Sequence, residues 1–144
     1  GLGIPAEPLF RSRSLVTDGA PTATGNGNDA TSPSGKTAEQ LRPYYNAALP
    51  RAKAIQGREN TTLYGIYIYG DEADLLDDLM YNSFQEAGSE RPIGGNTVEA
   101  PNYYNAADTS ALEDAIDDIF HQVVQAMGIT NVTKCANYLC TCSI

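Results

Sequence analysis

Arg13-Ser14-Leu15-Val16-Thr17-Asp18-Gly19-Ala20-Pro21 runs from a short apolar pair into a carboxylate, a glycine and a proline. A strand of an α/β sheet has this form where its C-terminal end carries a loop: apolar residues to bury, then residues that turn the chain. Ser12–Thr17 therefore reads as a strand, with Asp18 at its end. Residues 20–36 are rich in Gly, Asn, Pro, Ser and Thr and form a long polar loop, of a length that compact domains keep for functional segments. Thr37 then has the character of a helix N-cap, with Gln40 three residues on to close a capping box. The helix runs through Leu41, Tyr44, Tyr45, Ala48, Ala52 and Ile55 to Gly57, and Pro50 is expected to kink or break it.

Thr61-Thr62-Leu63-Tyr64-Gly65-Ile66-Tyr67-Ile68-Tyr69 is the clearest strand. It is β-branched and aromatic almost throughout and apolar on both faces, as a central parallel strand should be. After Gly70-Asp71 a second helix follows, with Ala73, Leu75, Leu76, Leu79, Met80 and Phe84 as its apolar stripe. Residues 88–100 form a loop, and Asn102–Ala106 is a third strand. Asp108-Thr109-Ser110 caps a third helix, whose face is Leu112, Ala115, Ile116, Ile119, Phe120, Val123, Val124 and Met127. Strand and helix thus alternate three times, which argues for an α/β, Rossmann-like fold with a mostly parallel sheet flanked by helices. Crossovers of one hand bring the C-terminal ends of all strands to one edge, where open α/β sheets bind ligands. Residues 1–10 are read as an irregular N-terminal segment, 11–128 as the domain, and 129–144 as a tail or the start of a further segment, with Ile129–Thr133 as a possible strand.

Composition narrows the functions. The 144 residues include 18 acidic and 9 basic side chains, for a formal charge of −9. No basic face is visible for phosphate, so nucleic acid is a poor partner; the acidity suits a cation or a basic partner. No apolar run reaches the roughly 18 residues of a membrane span. Gly1-Leu2-Gly3-Ile4-Pro5 shows no basic segment followed by an apolar one, so no leader is read there. The three cysteines, Cys135, Cys140 and Cys142, lie in the last ten residues. One disulfide with a free thiol fits them better than a metal site, because Cys-x4-Cys-x-Cys is not a zinc spacing. Gly35-Lys36-Thr37 lacks the earlier glycine of a phosphate loop and is read as a helix entry. The lone histidine, His121, has no nucleophile beside it in sequence, so no hydrolytic triad is read and the chain is expected not to be an enzyme.

Leu15-Val16-Thr17-Asp18-Gly19-Ala20-Pro21-Thr22 resembles the third metal-site loop of von Willebrand factor type A domains, where a strand ends in Thr-Asp-Gly. Leu63–Gly70 with the acidic helix after it resembles the family's next strand and helix. Tyr103-Tyr104-Asn105-Ala106-Ala107-Asp108 with Leu112, Ile116 and Phe120 resembles its last strand and closing helix. The resemblance spans about residues 12–127 and implies the C-terminal portion of that fold. It implies a divalent cation, Mg²⁺ or else Ca²⁺ or Mn²⁺, in a metal-ion-dependent adhesion site, with Asp18 as the acidic contributor of the third loop. Thr22 and Asp71 are then residues of the ligand rim. The family's first loop carries Asp-x-Ser-x-Ser, which this sequence does not contain, so the first half of such a domain is expected upstream or on a partner chain that completes the sheet. The narrower resemblance is to bacterial surface and pilus-tip adhesins: a secreted or cell-surface module that recognises a protein or matrix ligand.

Two other readings stand beside this one. The chain can be a structural or pilus-assembly subunit that pairs through a sheet edge without metal, or an enzyme on a flavodoxin-like sheet. Residue by residue, Asp18 can be a plain turn aspartate and Asp71 a helix cap. Asp74, Asp77 and Asp78 are expected to form a solvated helix face, as are Glu113, Asp114, Asp117 and Asp118.

Overall fold

In a computed structural model of the chain, the described residues are 11–17, 21–25, 31–32, 34–68, 75–94, 98–127, 131–135 and 138–142, the strands at 11–17, 131–135 and 138–142 through their backbone. Three parallel strands, β1 (Arg11–Thr17), β2 (Thr61–Ile68) and β3 (Tyr103–Ala106), form one sheet in the order β1-β2-β3. Helices α1 (Ala38–Gln56), α2 (Leu75–Ser83) and α3 (Thr109–Ala126) follow the strands in turn. The expected α/β alternation with a parallel sheet is what the chain adopts. Residues β4 (Asn131–Cys135) and β5 (Tyr138–Cys142) form a separate antiparallel hairpin, so the possible strand after α3 pairs with its own neighbour rather than with the sheet.

The alternation along β2 decides where each helix lies. Leu63 and Tyr67 point to one face and pack with Leu41 and Tyr45 of α1 and Leu76, Leu79 and Met80 of α2. Tyr64 and Ile66 point to the other face and pack with Ala106 of β3 and Ile119 of α3. The result is two helices on one face and one on the other. Two crossovers of the same hand that step in the same direction must lay their helices on the same face, and α1 and α2 obey this.

Thr37 caps α1 as the sequence predicts: its Oγ1 accepts from the Gln40 N–H at 3.3 Å, and its own N–H donates to Gln40 Oε1 at 2.9 Å. The expected break at Pro50 does not occur. The helix continues to Gln56 with both Pro43 and Pro50 inside it. Each proline removes one N–H and frees the carbonyl four residues before it. Those carbonyls belong to Glu39 and Asn46, and both residues are exposed, as are the prolines, so the lost bonds fall on the solvent-exposed side of the helix.

Helix α2 is the centre of the packing. Seven of its nine residues are buried: Leu75, Leu76, Asp78, Leu79, Met80, Asn82 and Ser83. Gly65 on β2 makes the close approach possible. A Cβ there would lie 2.8 Å from Met80 Cγ and 3.4 Å from Leu76 Cδ1. The apolar stripe was therefore read correctly over Leu75–Met80, but Phe84 falls beyond the helix and is 45% exposed. Of the α3 face, Ala115, Ile119 and Val124 are buried, while Ile116 and Met127 are not.

Candidate functional site

Because the three strands are parallel, Thr17, Ile68 and Ala106 end at the same edge of the sheet. Asp18 and Asp71, the expected metal ligand and rim residue, lie outside the described residues. Thr22 is half-buried, and its carbonyl accepts the Thr31 N–H at 2.8 Å. That bond ties two limbs of the long loop together. At the end of β3 the carboxylate is fully employed locally: Asp108 caps α3, accepting the Ala111 N–H at 2.7 Å. Among the described residues no group of three His, Cys, Asp or Glu side chains is arranged to hold a metal ion, and no helix is long and apolar enough to cross a membrane. The hairpin register sets Cys135 opposite Tyr138, Cys140 opposite Thr133 and Cys142 opposite Asn131, so no cysteine faces another directly across the ladder.

The expectation of a solvated acidic face is overturned at Asp77 and Asp78, while Asp74 lies outside the described residues. Asp78 is 2% exposed and accepts Arg91 Nε at 2.8 Å and the Gly94 N–H at 2.6 Å. Asp77 accepts the Ala100 N–H at 2.7 Å and lies 3.2 Å from Arg91 Nη2. Arg91 also donates from Nη1 to the Val98 carbonyl at 2.5 Å and stacks its guanidinium 4.1 Å from the Tyr81 ring centroid. Asn82 bonds the Arg91 backbone from both sides, accepting its N–H at 2.8 Å and donating to its carbonyl at 3.0 Å. The loop after α2 is therefore a strap, pinned along the helix by two carboxylates and an amide. Glu90 ties it to α1 through Lys53. At its far end Gly94 takes φ +84, and a Cβ there would lie 3.1 Å from Cβ of Ala38, so glycine suits both the turn and the contact. Sequence reading missed this cluster because it judged Asp77 and Asp78 against their own helix, whereas their partner lies more than a dozen residues away. The signal was present in one form: an arginine alone in an otherwise acidic and neutral loop.

Tyr45 completes the buried network, donating to the Asp78 backbone carbonyl at 3.1 Å and accepting from Asn82 at 2.7 Å. Burial pushes its hydroxyl up to about 12, above the ordinary tyrosine value of about 10. A phenol held neutral by the fold adds stability that is complete below about pH 10 and lost as pH rises toward about 12. Burial, reinforced by the Asp118 carboxylate, raises Tyr64 and Tyr104 in the same sense. Denaturant midpoints are accordingly expected to fall between pH 10 and 12, and Tyr45→Phe to flatten that fall; a flat wild-type profile would refute the assignment.

Among the described residues a concave feature lies between β3 and α3. It is a cleft of about 410 Å³ whose walls include Glu99, Tyr104, Asp114 and Asp118. Asp118 accepts from the Tyr104 hydroxyl and from Gln122 Nε2, and the latter also donates to the Tyr104 hydroxyl at 2.9 Å. His121 has Nδ1 2.7 Å from the Asp117 carbonyl and its ring edge-to-face with Phe120, a position within the helix and not a catalytic constellation. Comparison of the chain with protein-family models, with curated proteins and with solved structures finds no match.

Proposed function

We propose that this chain is the C-terminal portion of a von Willebrand A-type adhesion module, secreted or held at a cell surface, that binds a protein or matrix ligand through a divalent cation. The observation that supports the reading is the junction of β1 with its loop. A parallel strand in register with a buried central strand runs directly into Thr17-Asp18-Gly19 at the edge where strand ends meet. Mg²⁺ takes oxygen ligands in near-octahedral geometry and keeps several waters. On this reading Asp18 supplies one carboxylate, Thr22 and Asp71 flank the ligand, and the hydroxyl ligands of the first loop come from another segment or chain. Titration calorimetry with Mg²⁺ and Mn²⁺ tests it. The wild-type chain should give a binding heat that Asp18→Ala removes while the melting temperature stays unchanged. Equal heats in both proteins would exclude Asp18 as a ligand.

A second reading is favoured by one feature. Among the described residues β1 pairs only with β2, leaving a seven-residue edge whose backbone groups can take a further strand. On this reading the chain is an assembly subunit completed by a partner and needs no cation. Sedimentation that finds a folded, metal-free monomer would count against it.

A further inference from the structure

We draw no further inference here: the strongest candidate, the cleft between β3 and α3 walled by Glu99, Asp114 and Asp118, is a cluster of carboxylates of which Asp118 is already bonded to Tyr104 and Gln122, and nothing in the structure shows what it would hold.

Discussion

Arg91→Ala is expected to lower the free energy of unfolding by about 3–5 kcal/mol, the cost of taking away one partner of a buried charge pair. The size of the effect comes from what stays behind. Asp78 has a side chain only 3% exposed and Asp77 one that is 14% exposed, and removing the guanidinium takes the Arg91 ion pair from both. The Val98 carbonyl and the Tyr81 ring lose their contacts with Arg91 at the same time. Arg91→Lys should recover only part of the loss, because an ammonium cannot reach two carboxylates and a carbonyl in the planar fork that guanidinium provides. Urea denaturation of the wild type and both variants measures this. A loss under about 1 kcal/mol for Arg91→Ala would mean that the network is hydrated and worth no more than a surface pair.

Gly65→Val is expected to cost about 3 kcal/mol, at the upper end of what forced overpacking costs. The position lies in the middle of β2, directly under α2, and the first added carbon already meets Met80 Cγ at 2.8 Å and Sδ at 3.1 Å. Met80 is fully buried, so making room for valine means shifting a packed core side chain. The cycle with Met80→Ala separates this cause from a general dislike of substitution. Met80→Ala alone should cost about 2–5 kcal/mol by opening a cavity. The double variant should cost less than the sum, because valine fills the space that methionine leaves. Additive costs would show that contact with Met80 is not the reason for glycine at this position.

The fold was legible because its signals are local. β2 declares itself by β-branched and aromatic residues over its length, α1 by the Thr37–Gln40 capping box, and the parallel arrangement by strict alternation. What was not legible depends on pairings between distant segments. Asp77 and Asp78 look like a wet acidic face until a residue 13 positions after Asp78 folds back onto them. Pro50 looks like a helix breaker unless its released carbonyl is known to face water. Phe84 and Met127 fit the apolar period of their helices, but the period continues one turn past the surface that can bury it. Of the site residues, Thr22 carries a carbonyl that closes part of the loop, Asp18 and Asp71 lie outside the described residues, and the common edge of the strand ends was foreseen from strand direction alone.

The strap across α2 also bears on the order in which the molecule assembles. A nine-residue helix is too short to persist alone in water, so α2 exists only as part of a larger unit. Its inner side needs the sheet and α1, and its outer polar side needs a strap that reaches β3 only after wrapping around it. Pairing of β3 with β2 and desolvation of the two aspartates are thereby one event. Closing such a loop costs chain entropy before any contact repays it. The β2–β3 half of the sheet and the helix that covers it are therefore expected to form and open together.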